Sequence, residues 1–270
     1  MNGNDMANTV YRVLSYGGGV QSSALLFAAC HGDTPDGVRP DIVIFADTQW
    51  EPPGVMAYIK EATRYAEGYG IRVLTTTYGS IRSPHGASVM PVFVTKPDGT
   101  EGITPRQCTD RYKIRPLRKE LRSHLGYQRG QRLTHDIEMW LGISIDEAHR
   151  MKPSQETRTT HRYPLIEMEW SRSMCKSYVE QLGLPVPQKS SCVGCPYHSN
   201  RYFLDMKRDR PREWQEAVDF DDKIRSDPDY FKTLKGTPYL HRNREPLETV
   251  YLQEDQLELF GEECSGYCEA

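Results

Sequence analysis

Several classes of protein are excluded by what this 270-residue chain lacks. It contains no run of about 18 apolar residues, so no segment is expected to span a bilayer. The amino-terminal stretch MNGNDMANTVYR has no apolar core of the kind that a secretory signal needs. Internal repeats and low-complexity linkers are also missing, which disfavours solenoids and tethered arrays. We therefore predict a globular cytoplasmic protein with no membrane partner.

A strong excess of one charge sign is absent as well. The net charge is −3, which disfavours a surface built throughout for nucleic acid. The charge is unevenly distributed, however: nine Lys and Arg stand against two acids between Arg106 and Arg132, whereas eight acids and no Lys or Arg follow from Glu245. A local basic cluster in a near-neutral chain favours a phosphate-bearing ligand, and a solvated helix face is the ordinary alternative.

The first third of the chain alternates between strand and helix patterns. Residues 10–15, 41–47 and 71–77 are predicted strands, and residues 22–31 and 53–68 are the predicted helices between them. Such alternation is typical of a parallel sheet with right-handed crossover connections. The sequence therefore predicts an α/β fold with helices on both faces of the sheet.

Later segments are less regular. A loop is predicted over 78–105, and Ser144 and Glu147 have the spacing of a capping box that would start a short helix. The remaining predicted elements are a helix at 110–125, a strand at 138–144 and helices at 171–183 and 211–226. We predict a nucleotide-binding domain over residues 1–170. A mostly helical carboxy-terminal region with a mobile acidic tail is predicted over 171–270.

A glycine loop, Gly17-Gly18-Gly19, lies directly between the first predicted strand and the first predicted helix. Glycine permits a close backbone approach and positive φ, and a helix amino terminus offers unpaired N–H donors to phosphate. The segment is neither a Walker A loop nor a G-x-G-x-x-G fingerprint. It is predicted to bind phosphate, with a simple tight turn as the alternative.

Seven cysteines are present, and in a cytosolic chain they are expected to stay reduced. Cys192-Val-Gly-Cys195 presents two thiols from one turn, which is half of a zinc or iron–sulfur site. A redox dithiol and a pair of structural thiols are the other interpretations. His198 extends the pattern to C-x2-C-x2-H, which would suit zinc.

These motifs together resemble a known superfamily. The segment Gly17–Ser22 resembles the PP-loop of the adenine-nucleotide α-hydrolases, usually S-G-G-x-D-S, but with Gln21 in place of Asp. Its branch of phosphoadenosine phosphosulfate (PAPS) reductase-like proteins carries a similar Gly-x-Gln. Cys108-Thr-Asp-Arg-Tyr-Lys-Ile-Arg-Pro-Leu117 is similar to the Cys-x(n)-Lys-x-x-Pro-Leu segment of that branch. The likeness covers roughly residues 10–200 and implies a Rossmann-like (HUP-type) sheet.

The resemblance also implies roles for individual residues. Lys113, Arg150 and Lys152 would be catalytic cations that grip the substrate. Cys264 would be a catalytic nucleophile, because the tail around Glu263 loosely resembles the reductases' Glu-Cys-Gly segment. The implied nucleotide contacts are Ser15, Gly17, Gly18, Gly19, Gln21, Ser22, Asp47, Thr48, Arg106, Arg115 and Arg158.

A metal centre is implied in the same way. Cys108, Cys192 and Cys195 align with cysteines that hold a 4Fe–4S cluster in some sulfonucleotide reductases, and Cys175 is our choice for the fourth ligand. Zinc is the alternative metal, and Mg²⁺ accompanying ATP, PAPS or adenosine phosphosulfate (APS) is a further candidate.

Three functions remain open on this basis. The first is ATP-dependent adenylation and sulfur insertion into an acceptor, for which nucleic acid and a sulfur-donor protein are the candidate partners. The second is reduction of PAPS or APS by Cys264. The third is a catalytically inactive nucleotide-binding subunit with structural zinc. The oligomeric state does not follow from the sequence.

Overall fold

The computed structural model describes residues 10–252, and the tail that contains Cys264 and Cys268 lies outside them. Within that range no helix combines the length and the apolar character needed to cross a bilayer. The strands are β1 (Val10–Tyr16), β2 (Ile42–Asp47), β3 (Arg72–Thr77), β4 (Phe93–Thr95), β5 (Glu101–Ile103), β6 (Asp136–Leu141), β7 (Thr159–Arg162) and β8 (Thr237–Tyr239). The helices are α1 (Val20–His31), α2 (Pro53–Gly68), α3 (Pro84–Ala87), α4 (Arg115–His124), α5 (Pro164–Glu167), α6 (Arg172–Gln181), α7 (Asn200–Asp209) and α8 (Pro211–Ser226).

The larger sheet has five parallel strands in the order β3-β2-β1-β6-β7. β1 lies at its centre, where Val13 is level with Ile42 of β2 and with Met139 of β6. The apolar run at 42–45 is buried throughout, as is typical of strands covered on both faces. The predicted α/β, Rossmann-like fold class is therefore confirmed.

Helices cover both faces of this sheet. Leu14 points to the face covered by α1, α2 and α6, where it shares a core with Phe27 and Cys175. Val13, its neighbour in β1, belongs to the opposite core, which is closed by Leu117 of α4. Because successive side chains of a strand point to opposite faces of the sheet, β1 contributes side chains to both cores.

A third core joins the carboxy-terminal helices to the end of β2. Phe203 of α7 and Trp214 of α8 pack there in one cluster with Trp50 and Met90. Helix α6, in contrast, packs on α1 in the first core. The domain division predicted near residue 170 stays a prediction.

The segment 78–105 is not the open loop that its Gly and Pro content predicts. It contains α3 and the strands β4 and β5, and β8 completes a small antiparallel sheet in the order β5-β4-β8. The carboxy-terminal region therefore contributes a strand as well as helices. Thr95 of β4 is level with Thr237 of β8, a pairing so distant along the chain that no local pattern reveals it.

Two further predictions need correction. The helix predicted at 110–125 starts with a π-helical turn over Asp110–Ile114 and becomes regular only in α4. The short helix predicted after Ser144 is present as a 3-10 helix over Ile145–Arg150, but its capping box is wrong, because the Ser144 hydroxyl donates to the Asp146 carboxylate at 3.3 Å and caps no backbone N–H. The Glu147 carboxylate instead pairs with Arg150 at 2.5 Å.

The buried His241 gives the first testable prediction. Its Nε2 donates to the Asn200 side-chain oxygen at 2.9 Å, and burial lowers its pKa from 6.5 to about 4. Between those two pH values the unfolded chain therefore binds a proton that the folded chain does not. The free energy of unfolding should be at its full value above pH 6.5 and should fall by about 3 kcal/mol as the pH drops toward 4.

Urea unfolding of wild type and His241→Gln between pH 4 and pH 7.5 tests this. The variant should lose less stability on acidification than wild type does, although the buried His198 will leave some dependence in both. If the free energy of unfolding fell equally with pH in wild type and in His241→Gln, His241 would not be the source of the acid sensitivity.

Candidate functional site

The strand order places a crevice between β1 and β6. The chain moves from β1 outward through β2 and β3, and then returns to the other side of β1 as β6 and β7. In open parallel sheets, ligands bind outside the carboxyl ends of the strands at such a reversal. The glycine loop follows β1 at this point, and Gly142 follows β6. A Cβ on Gly142 would lie 2.9 Å from the Ser22 backbone nitrogen, so the two segments are in close contact.

The glycine loop has the backbone geometry that a phosphate site requires. Gly18 has φ of +74°, in the region that favours glycine, and Gly19 is the extended residue that precedes α1. Ser22 fixes the turn: its hydroxyl donates to the Gly19 carbonyl at 3.2 Å and accepts from the Gly17 N–H at 3.3 Å. Gly19, the residue before α1, has no side chain to cap the helix, and the first turn of α1 lies at the carboxyl end of β1, where its N–H groups are suited to bind an anion.

Gln21 connects this loop to the segment that follows β6. Its side-chain N–H donates to Glu147 at 3.2 Å, and its side-chain oxygen accepts from Arg172 at 3.1 Å. Glu147 in turn holds Arg150. The structure thus brings Arg150, predicted as catalytic, to the glycine loop. It also adds Glu147 and Arg172, which sequence reasoning missed because neither forms a motif with Gln21.

The Cys-x-x-Cys turn is attached to the carboxyl ends of two strands. The Ser190 hydroxyl donates to the Gly17 carbonyl, and the Val193 N–H donates to the Trp50 carbonyl at 2.9 Å. The Cys192 sulfur lies 3.2 Å from the Thr48 hydroxyl at the end of β2. The predicted phosphate loop and the predicted thiol pair therefore share one edge of the sheet.

His198 supports this turn from within. Its Nε2 lies 2.9 Å from the Cys192 carbonyl and 3.2 Å from the Val193 carbonyl, to which it donates. Burial lowers the His198 pKa to about 3, so the ring stays neutral at physiological pH. Gly194 packs so tightly that a Cβ there would lie 2.1 Å from the Trp50 ring. The position of the two thiols is thus fixed by packing as well as by hydrogen bonds.

A buried ion pair lies beside the thiols. Lys113 Nζ is 3.9 Å from the Glu51 carboxylate, which also accepts from the Thr48 hydroxyl at 3.3 Å. The second Glu51 oxygen has no hydrogen-bond partner among the described residues. Burial raises the pKa of Glu51 and of the Cys192 thiol, and the Lys113 charge opposes both shifts. Lys113 and the Thr48 hydroxyl therefore limit the rise in the pKa of Cys192, but burial and the Glu51 charge keep that pKa well above its ordinary value.

A double-mutant cycle tests this pair. Lys113→Met should lower the free energy of unfolding by about 3 kcal/mol, because the Glu51 carboxyl then loses its cation in a site where its side chain is fully buried. Adding Glu51→Gln should recover much of that loss. Urea denaturation at pH 7.5 measures Lys113→Met, Glu51→Gln and the double variant, and strictly additive losses would show that the two side chains do not interact.

Other predicted residues lie at the edges of the crevice. Thr48 is buried at the end of β2, and the preceding Asp47 accepts from the Gln49 N–H at 2.6 Å. Arg106 stacks over the Tyr197 ring two residues beyond Cys195, at 5.4 Å. Lys152 is exposed and is anchored through its backbone, whose N–H donates to the Tyr163 hydroxyl at 2.9 Å.

Two predicted nucleotide contacts form ion pairs with nearby carboxylates. Arg158 stands just before β7, level with the amino end of β6, where it pairs with Asp136 at 2.9 Å. In a parallel sheet this is the edge opposite to the loop. Arg115 is exposed on α4 and pairs with Asp110 at 2.7 Å. Arg158 therefore lies at the far edge of the sheet from Gly17–Ser22, and Arg115 is held by Asp110 at the start of α4. Ser15, in contrast, is buried in β1 directly before the loop.

The cysteines do not form a complete metal site among the described residues. Cys108 and Cys192 border the third core, whereas Cys175 is fully buried in the first core between α1 and α6. Between residues 10 and 252 no three His, Cys, Asp or Glu side chains are grouped in a way that could hold a metal ion. The iron–sulfur and zinc assignments stay predictions, as does the role of Cys264 outside the described range.

Comparison with known proteins shows similarity in sequence to one protein and in fold to a solved structure. No family model matches the chain. An uncharacterised nin region protein of Escherichia phage lambda, ORF290, is 27% identical over 199 residues, a match that covers 68% of this chain and 64% of that protein. The chain thus spans less than two thirds of that relative's length. Among solved structures, it is similar to PAPS reductase from Candida auris in a phosphate complex, with a TM-score of 0.42, 15% identity and coverage of 68% of this chain and 76% of the other.

Proposed function

We propose that this chain is an enzyme that binds ATP or another adenylyl nucleotide at Gly17–Ser22 and carries out sulfur chemistry beside Cys192 and Cys195. One observation carries the proposal: Ser190, two residues before Cys192, is hydrogen-bonded to Gly17 of the glycine loop. A nucleotide phosphate at the amino end of α1 would therefore lie next to the thiols. Proximity of this kind is what a reaction between an activated group and sulfur requires.

The reaction that we favour is sulfur insertion by way of an adenylated acceptor. An acceptor oxygen attacks the α-phosphorus of ATP, and pyrophosphate leaves. A sulfur donor at the oxidation level of hydrosulfide then displaces AMP, which carries the acceptor oxygen away, so no electrons are exchanged. Negative charge develops on the phosphate in the first step, and Arg150 and Arg172 beside Gln21 are the cations that would stabilise it.

Lys113 has a different role in this proposal. It lies against Glu51 rather than against the glycine loop, and its positive charge lowers the pKa of the Cys192 thiol against the effect of burial. It would therefore stabilise the Cys192 thiolate once that thiol gives up its proton to bind a metal ion or cluster. In this scheme Arg150 and Arg172 act on the phosphate, and Lys113 acts on the thiol of Cys192.

Turnover assays test the function. Anaerobically purified protein is incubated with ATP, hydrosulfide and mixed-sequence RNA or DNA strands, and AMP and pyrophosphate are measured by chromatography. We expect equal amounts of both products, stimulated by an acceptor. Sulfite release from PAPS or APS would instead identify a sulfonucleotide reductase. Binding without turnover of ATP, PAPS or APS would identify an inactive subunit with structural zinc.

Metal analysis of the same preparation tests the cofactor proposal. A 4Fe–4S cluster would supply electron transfer or a Lewis-acidic iron, and Cys192 and Cys195 are the two described thiols that would bind it. Iron and sulfide in matching amounts would support a cluster, and one zinc without sulfide would make the turn structural. If Cys175→Ala retains the metal, the fourth ligand is not Cys175, in agreement with its burial in another core.

A further inference from the structure

A basic stripe runs along the outer face of α4. Arg115, Arg118, Lys119 and Arg122 have the spacing i, i+3, i+4 and i+7, which places them on one side of a helix. The opposite side of α4 is apolar and packs Leu117 and Leu121 into the sheet. The stripe is therefore held in place by the core.

The charge of this region is opposite to that of the rest of the chain. Residues 111–132 contain eight Lys and Arg and one acid, Glu120, which gives a net charge of +7. The whole chain has 34 Lys and Arg and 37 acids, so the remaining residues carry 26 against 36, a net charge of −10. Separation of charge on this scale would orient a polyanion toward α4 and away from other surfaces.

The stripe ends at a concave site. A cleft of about 320 Å³ opens between α4, the segment 131–133 and the start of β6. Arg118, Arg122 and Arg132 line it together with Leu133 and Met139, and Glu156 pairs with Arg118 at 2.8 Å. Arginines around an apolar floor suit a planar base with its phosphate, since guanidinium groups both stack on rings and bind oxyanions.

The α4 stripe runs from the side of the candidate site to the cleft. α4 starts two residues after Lys113, at the carboxyl edge of the sheet, and the cleft is bordered by Ile137 and Thr159 near the amino edge. Ten helical residues span about 15 Å, a distance that a few nucleotides cover. A strand held along α4 would thus have one nucleotide in the cleft and its continuation beside Lys113.

We propose that the α4 stripe and the cleft bind single-stranded nucleic acid, with one base in the cleft and the backbone along Arg115, Lys119 and Arg122. A single strand is required because a paired base could not leave its stack to enter the cleft. The inference deepens the proposed function by naming the acceptor class, but binding itself does not depend on ATP chemistry.

Fluorescence anisotropy with labelled 20-nucleotide DNA and RNA strands, without adenine nucleotide, tests the proposal. The double variant Lys119→Glu, Arg132→Glu should bind at least tenfold more weakly. The slope of the logarithm of its binding constant against the logarithm of the salt concentration should be smaller by about 1.4 than that of wild type. Lys176→Glu with Arg201→Glu is the matched control, because both residues are exposed on other helices and the net charge changes equally. An equal loss in both double variants, or no binding by wild type, would overturn the proposal.

Two further measurements separate this proposal from its alternatives. A duplex of the same sequence should bind at least tenfold more weakly than the single strand, and equal binding would contradict the role of the cleft. Gly18→Val, which alters the glycine loop, should leave strand binding unchanged. If Gly18→Val lost affinity for both ATP and the strand, the α4 surface would not be an independent binding site.

Discussion

Replacing Gly18 by valine should lower the affinity for ATP at least tenfold. Gly18 has φ of +74°, and a Cβ there would lie 2.8 Å from the Ile59 side chain. A non-glycine residue in this region costs roughly 1–2 kcal/mol, and a β-branched one more. The loop can relieve that strain by changing its φ, which turns its N–H groups away from the phosphate. A change of about 1.4 kcal/mol in binding corresponds to the tenfold loss.

Gly130→Val is the matched control for this prediction. Gly130 also has a positive φ, +85°, but no atom lies within 4 Å of the Cβ position, and it stands in the loop after α4. It should therefore lose less stability than Gly18→Val, because it carries the strain of a positive φ without the clash, and it should retain full ATP affinity. Isothermal titration calorimetry and urea unfolding separate the two effects. Unchanged ATP affinity in Gly18→Val would remove the glycine loop from the nucleotide site.

The second large effect is expected at Cys192. Cys192→Ala should reduce formation of the sulfur-containing product by on the order of a hundredfold or more, because it removes a thiol that would hold the cluster beside the reacting hydrosulfide. The affinity for ATP should change little, since the bond from Ser190 to Gly17 is retained. Product formation is followed by mass spectrometry of the acceptor.

Cys30→Ala provides the control for the Cys192 variant. Cys30 is fully buried in α1, and burial raises the pKa of its thiol to about 11, so it is an unreactive core residue. Its removal should cost some stability and leave product formation intact. If the two variants lost product equally, the effect would be one of folding and not of chemistry.

Local sequence signals were sufficient for the parts of the site that are contiguous in the chain. The glycine loop, β2 with Asp47 and Thr48, and the turn at Cys192 each combine a motif with an adjoining strand, helix or turn. Because the carboxyl ends of parallel strands lie at one edge, an α/β alternation also predicts that the first two of these motifs meet.

Contacts between distant residues could not be predicted in this way. Glu51 has no motif of its own, and its burial against Lys113 depends on how the turn after Cys108 packs beneath β2. Arg158 shows the opposite error: it follows a basic segment in sequence, but the start of β7 holds it at the far edge of the sheet. The spacing of charged residues along the chain does not show at which end of a strand each of them lies.

The central claim is that the nucleotide and the thiol pair occupy one edge of the sheet, and thiol protection tests it most directly. Anaerobic alkylation of Cys192 and Cys195 is followed by peptide mass spectrometry with and without saturating ATP. Bound nucleotide should slow the modification of both thiols at least tenfold, and Gly18→Val should abolish that protection. Equal alkylation rates at saturating ATP would contradict the shared site.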